Sequence, residues 1–220
     1  MSALHAPARV PYTLADGTVV PSVTTIIGRF KESGGLIWWA WNEGKEGRDY
    51  RDTKQKAADA GTLAHLMVEA DIRGKTPPAV SAWPYEIYTR ALRAFDNYIS
   101  WKQQTNLTPV ETEVRLVSEK YRFGGTLDSM LIGGSLSLGD WKTSNSVYQD
   151  YLLQLAAYGI LWEENRVMEP ILGGFHLIRF AKDNPDFAHY HYGELETARK
   201  LFLVYRQAYD LDRELKKRVK

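Results

Sequence analysis

Two aspartates and a lysine stand close together in the middle of the chain. Phe123-Gly124-Gly125-Thr126-Leu127-Asp128 ends on a carboxylate, and twelve residues after Asp128 the string Gly139-Asp140-Trp141-Lys142-Thr143 carries a second carboxylate and an ammonium. Asp140 and Lys142 are two apart, so on a strand both project from one face. If the two segments pair through Gly133-Gly134, Asp128 and Asp140 meet at one end of a hairpin. Neighbouring carboxylates repel unless a cation lies between them. Oxygen donors with open positions suit Mg²⁺ or Mn²⁺. A lysine beside such an ion can orient a water and stabilise charge on a phosphoryl oxygen. Taken alone, Asp-x-Lys recurs by chance in most proteins. Its weight here comes from the Gly-Gly-Thr-Leu-Asp string one hairpin earlier and from Glu113 on the preceding strand.

The elements that must position these groups follow from periodicity. Val10–Leu14 and Thr18–Val20 flank Ala15-Asp16-Gly17 and read as a hairpin with an Asp-Gly turn. Ser22 caps a helix with Val23, Ile26, Ile27 and Phe30 on its apolar face, and Gly34-Gly35 breaks it. A second helix holds Leu36, Trp38, Trp39 and Trp41, and a third runs from about Arg48 to Arg73 with Leu63, Leu66, Met67 and Ala70 inward. Thr76-Pro77-Pro78 is a loop, and Trp83 to Gln104 is an amphipathic helix burying Ile87, Ala91, Leu92, Phe95 and Ile99. After Pro109 the period becomes two. Val110–Ser118 puts Val110, Thr112, Val114 and Leu116 on one face and Glu111, Glu113 and Arg115 on the other. Phe123–Leu131 and Leu136–Trp141 complete an antiparallel meander. Tyr148–Asn165 is helical, Ile171–Phe180 and Phe187–Tyr192 are strands, and Leu195–Val219 is a closing helix. Helices, three strands, helix, two strands and helix describe an α/β fold with a mixed central sheet flanked by helices.

Composition bounds the chemistry. The 220 residues suit one domain, read as a hairpin and helical region (1–107), a catalytic sheet with its helix (108–193) and a closing basic helix (194–220). There is no cysteine, which excludes a thiolate zinc site, an iron–sulfur cluster and a cysteine nucleophile together. No apolar run approaches the roughly 20 residues of a membrane span, and residues 1–10 lack a signal-peptide core, so a cytoplasmic location is expected. The net charge of +1 means that any polyanion site must be local. The last 22 residues hold eight basic side chains against three acidic ones. That excess could steer DNA, and a solvated helix end explains it as well.

Asp128 followed by Asp140-Trp141-Lys142 resembles the PD-(D/E)xK nuclease signature in its RecB-like branch. Gly61-Thr62-Leu63-Ala64-His65 matches that branch's Gly-x-x-x-His helix, and Gln154-Leu155-Ala156-Ala157-Tyr158 matches its Gln-x-x-x-Tyr helix. Pro21-Ser22-Val23-Thr24 and the tryptophan-bearing helix resemble phage and mitochondrial genome-maintenance exonucleases, the likeness running from about residue 20 to 160. Two departures stand out. Leu127 occupies the position of the signature proline, and the cluster-binding cysteines of some relatives are absent.

The resemblance implies a restriction-endonuclease-like core and a DNA nuclease dependent on Mg²⁺ or Mn²⁺. It would act from ends on single strands or end-containing duplex, in recombination, replication or repair alongside the proteins of those processes. A phage setting and a homo-oligomer are compatible with it. By the same resemblance Asp128 and Asp140 bind the metal with the Trp141 carbonyl, His65 supplies a nitrogen ligand, and Lys142 positions the attacking water. Glu113 is an outer ligand or proton acceptor, or else a solvated strand glutamate. Gln154 and Tyr158, one turn apart, hold a substrate phosphate or brace the site. Thr143 and Ser144 contact the substrate backbone or cap the next helix. Glu69, one turn after His65, reads better as a surface acid. Trp38, Trp39 and Trp41 cannot all face one core, and an exposed one could stack on unpaired bases at roughly 1–3 kcal/mol each. Arg29, Lys31, Lys45, Arg48 and Arg51 line a phosphate track or a solvated face. The alternatives are a structure-specific or flap endonuclease and a DNA-binding module of the same fold without catalysis. A two-carboxylate sugar or nucleotide hydrolase fits less well, having no need of the adjacent lysine.

Overall fold

The computed structural model describes residues 10–219. The chain opens with a two-stranded hairpin, β1 (Tyr12–Thr13) and β2 (Val19–Val20), turning at Gly17 with φ of 84°. Helices α1 (Val23–Phe30), α2 (Gly34–Lys45), α3 (Tyr50–Ile72) and α4 (Tyr85–Gln104) follow. Then come β3 (Thr108–Ser118), β4 (Phe123–Ile132), β5 (Leu136–Lys142), α5 (Gln149–Asn165), β6 (Phe175–Phe180), β7 (Phe187–Tyr192) and α6 (Glu196–Arg218). Local chemistry sets the starts. The Ser22 hydroxyl accepts the Thr25 N–H at 3.1 Å, and the Asp49 carboxylate accepts the Arg51 N–H at 2.8 Å.

The five long strands form one mixed sheet in the order β3-β4-β5-β6-β7. Only the β5–β6 pair is parallel, because α5 carries the chain across between them; the other pairs are antiparallel. Two apolar clusters pack on the sheet. One joins α1, α5 and α6 to Phe123, Leu127, Met130, Leu138 and Leu177. The other joins α3 and α4 to Leu131, Trp141, Ile178 and Phe180. The α/β architecture with a mixed sheet flanked by helices, consistent with a restriction-endonuclease-like core, is as expected from the sequence. No helix among the described residues is long and apolar enough to cross a membrane.

Several expectations need correction. Gly34 and Gly35 form the first turn of α2 rather than a break. Strand β6 starts at Phe175, not Ile171, because Gly174 takes φ of 78° just before it. Leu66 and Leu92, expected inside, are exposed. On α2, Trp38 and Trp41 are 66% and 58% exposed, while Trp39 is half-buried edge-on to Tyr50. The simple alternation of β3 is also broken. A bulge lies between Pro109 and Glu111, and Glu113 takes φ of 54°, uncommon for any residue but glycine.

Candidate metal centre

The β4–β5 hairpin brings the two aspartates together as the spacing required. The ladder runs from Ile132–Leu136 to Ser129–Gly139, and one step further on Asp128 faces Asp140. There the backbone pairing is replaced by a side chain, since the Asp128 carboxylate accepts the Trp141 N–H at 2.9 Å. On the other side of β4, Glu113 falls between the Thr112–Ser129 and Val114–Leu127 pairs, opposite Asp128. The left-handed backbone at Glu113 is a strained conformation, and such strain gathers at functional sites.

Helix α3 supplies the third direction. One ligand atom from each of His65, Glu113 and Asp128 lies within 4.8 Å of the other two, a group able to hold a metal ion. His65 can come this close because α3 presents Gly61 one turn earlier: a Cβ there would sit 2.8 Å from Thr143 Oγ1. Gly125 does the same for α5, since a Cβ would meet the Tyr158 ring at 2.8 Å. The Trp141 carbonyl faces the His65 ring.

Asp140 stands beside this trio. It is fully buried, and its carboxylate lies 2.6 Å from Lys142 Nζ. The approach is off hydrogen-bond geometry, so neither oxygen has a hydrogen-bond partner among the described residues. Lys142 is aimed instead by Gln154, whose Oε1 accepts from Nζ at 2.9 Å, and Gln154 Nε2 in turn donates to Tyr158 OH at 2.7 Å. The Tyr151 ring lies 4.9 Å from the ammonium.

The electrostatics of the cluster are set by burial and by like charges at close range. Burial, then repulsion from Asp128 and Glu69, pushes the Glu113 carboxyl up to about 7. Burial raises Asp128 and Asp140 as well, against the pull of Lys142. Burial opposes the charge of Lys142, but the two aspartates outweigh it and lift the ammonium above its ordinary value. Burial, then Lys142, lowers the His65 imidazole to about 4, which keeps a ring nitrogen free to act as a ligand. Clustered acids with raised pKa values, a buried carboxylate paired with the Lys142 ammonium and a neutral imidazole together fit a hard divalent ion with mixed oxygen and nitrogen donors.

Two clefts meet here. The first, of about 570 Å³, is lined by Gly61, Thr62, His65, Glu69, Glu113, Trp141, Lys142, Thr143, Ser144, Tyr151 and Lys182, among others. The second, of about 500 Å³, lies toward the amino-terminal hairpin and shares Glu113, with Asp128, Thr126, Arg115, Tyr12 and Tyr158 on its walls.

Each residue singled out in the sequence can now be placed. His65, Glu113, Asp128, Asp140, Trp141 and Lys142 come together. Gln154 and Tyr158 are adjacent, with the amide spent on bracing Lys142. Thr143 and Ser144 line the first cleft, the Ser144 hydroxyl donating to the Ser146 carbonyl at 2.7 Å. Glu69, expected at the surface, is half-buried on the cleft wall and paired with Arg73 at 2.6 Å. Sequence reasoning missed Tyr151 and Lys182. Tyr151 stands on the same helix face as Gln154 three residues on, a spacing that could have flagged it. Lys182 follows an apolar strand and carries no local signal.

No family model and no curated protein matches the chain. Among solved structures, one from Eubacterium rectale described as a "Putative exonuclease" aligns over 84% of this chain and 73% of its own, at 12% identity and a TM-score of 0.38. A second, SSO0001, aligns over 66% of this chain and 71% of its own, at 19% identity and a TM-score of 0.32. Likeness that remote carries no argument about activity, which rests on the residues of the site.

Proposed function

We propose that this protein is a metal-dependent nuclease that hydrolyses phosphodiester bonds in DNA. The observation that carries the reading is the convergence of His65, Glu113 and Asp128, with Asp140 and Lys142 alongside, at the junction of two open clefts. His65, Glu113, Asp128 and Asp140, with the Trp141 carbonyl, would hold Mg²⁺ or Mn²⁺. When bound, the ion supplies Lewis-acid polarisation of a phosphoryl oxygen and neutralises its developing charge. Lys142 holds the attacking water and offsets negative charge on the phosphate. Gln154 and Tyr158 fix the rotamer of Lys142 through the hydrogen bonds described above. Glu113, where it does not ligate the ion, is the carboxylate placed to accept the proton that the water loses.

The clefts open to solvent on both sides of the centre, so a strand can enter by one and leave by the other. Action from strand ends, as an exonuclease on single strands or duplex ends in recombination, replication or repair, is the part of this reading that rests on the resemblance in the sequence. The test is digestion of end-labelled linear and circular DNA, single- and double-stranded, with Mg²⁺, Mn²⁺ or EDTA. Shortening of linear DNA with circles intact is the expected result. Cleavage of circles or of branched junctions alone would make it a structure-specific endonuclease. No metal-dependent cleavage, or full activity in Lys142→Ala, would reject catalysis and leave a DNA-binding module.

A further inference from the structure

The first cleft has a basic end that the chemistry above does not use. Along α3, Ala57, Gly61, His65 and Glu69 recur every four residues and form one stripe facing the sheet. Each is matched across the cleft. Glu69 acts on Glu113, His65 faces the Trp141 carbonyl, Gly61 abuts Thr143, and the Ala57 carbonyl accepts from Lys182 Nζ at 3.0 Å. The stripe therefore runs from an acidic end to a cationic end, with eight residues, or ~12 Å of helix, between Ala57 and His65.

Lys182 is 7% exposed, yet among the described residues it makes that one hydrogen bond and no ion pair. An ammonium has three donors, so two are unspent. Its neighbour Asp183 does not neutralise it, because that carboxylate is held by Arg90 at 2.9 and 3.2 Å and the Asp183 carbonyl accepts from Arg93. Burial and the Arg90 charge push the Lys182 ammonium below its ordinary value, against the pull of Asp183. A buried cation without an anion is unfavourable unless a ligand supplies one. Thr62 and Thr143 line the same cleft and offer hydroxyl donors.

We propose that Lys182, with these hydroxyls, is a phosphate-binding subsite that takes a substrate phosphate neighbouring the one cleaved. The assignment rests on the nuclease reading and adds to it a residue that sets how the strand lies in the cleft. Lys182 is tied to the Ala57 end of α3, two turns before His65, while the scissile phosphate falls to Lys142 beside Asp140. The ligand chemistry is a phosphate oxygen, either of an internal diester or of a strand's terminal monoester.

Binding is measured first without metal or catalysis. Deoxythymidine 5′-monophosphate supplies a monoester and the unphosphorylated thymidine dinucleotide an internal diester, each titrated against the full chain in EDTA. Wild-type protein should bind at least one of them. Lys182→Met should weaken that binding by ~10-fold or more, the usual loss for one charge-assisted hydrogen bond. Lys182→Arg should restore most of it. Stronger binding of the monoester identifies a terminal-phosphate site, and comparable binding of both identifies a backbone site. In DNA digestion, Lys182→Met should raise KM with kcat little changed. Should Lys182→Met fold poorly, Lys182→Gln serves the same comparison. Equal affinity in wild type and variant, or no binding of either probe by wild type, overturns the proposal. Wild-type protein that binds through Lys182 but cleaves no DNA overturns the nuclease reading and leaves the phosphate site standing.

Discussion

Replacing Gly61 by alanine should disable the centre while leaving the fold nearly as stable as before. The new Cβ would lie 2.8 Å from Thr143 Oγ1, whereas ordinary contact begins at 3.4 Å, so the helix and strand must part by about 0.6 Å. Rotation of Thr143 offers limited relief, because one of its two other staggered rotamers brings the methyl where the hydroxyl was and a β-branched side chain is restricted at χ1. The stability terms oppose each other. Overpacking costs about 1–3 kcal/mol, and exchanging glycine for alanine inside a helix returns about 1 kcal/mol. The net loss is then about 0–2 kcal/mol. Function is less forgiving. His65 lies one turn along the same rigid helix, and ligating groups must stay within about 0.5 Å of their working geometry. A shift of this size should weaken Mn²⁺ binding and slow cleavage by ~10-fold or more. Calorimetric titration of Mn²⁺ beside urea unfolding separates the two effects. The pair Gly61→Ala/Thr143→Ala removes the obstructing hydroxyl and should regain most of the Mn²⁺ affinity, a coupling that a double-mutant cycle reads directly. Undiminished Mn²⁺ affinity in the single variant would refute the claim that Gly61 sets the position of His65. So would a double variant no better than the single.

Metal should stabilise the chain through the buried acids. At a hundred times its dissociation constant an ion adds about 2.7 kcal/mol, which for this length raises Tm by about 5–10 °C. Asp128→Asn keeps an oxygen for the Trp141 N–H but loses the charge, and thermal melts with Mn²⁺ against EDTA should show most of that gain gone; an undiminished gain would place the ion elsewhere. The His176–His189–His191 cluster predicts a separate pH effect. Burial, then His189 and His191, depresses His176 to about 4 from an ordinary 6.5. The unfolded chain therefore takes up a proton that the folded one refuses, and stability present above pH 6.5 is lost as pH falls toward 4. With solvent screening the loss is about 1–2 kcal/mol. Urea unfolding at pH 7.5 and 4.5 should show it in wild type and show less of it in His176→Gln; identical losses in the two proteins would refute it.

What was legible in the sequence was chemistry carried by short spacing. Asp140 and Lys142 share a strand face because two is the strand period, and Asp128 meets Asp140 because a glycine turn centres the hairpin between them. The antiparallel meander and the helix after it followed from the change of period after Pro109, whereas the parallel β5–β6 pairing had no local signal. Glu113 shows where this stops. Alternation groups it with Glu111 and Arg115, but its position depends on a bulge three residues earlier and on a left-handed backbone that glutamate rarely adopts. No local preference encodes that conformation, which places Glu113 beside His65 and Asp128. Trp38 and Trp41 illustrate the opposite case, in which hydrophobic side chains on a helical pattern stay outside because α2 leaves them without an apolar partner.

Lys182 marks the further limit, since its meaning lies in a partner 125 residues away. An ammonium after a buried strand reads as a surface charge until α3 lies across it. The same helix that closes over Lys182 carries Gly61 and His65, so one stripe of small and ligating residues at four-residue spacing positions both ends of the cleft. Displacing that helix should therefore affect the metal and phosphate sites together, whereas removing either charge alone should affect only one.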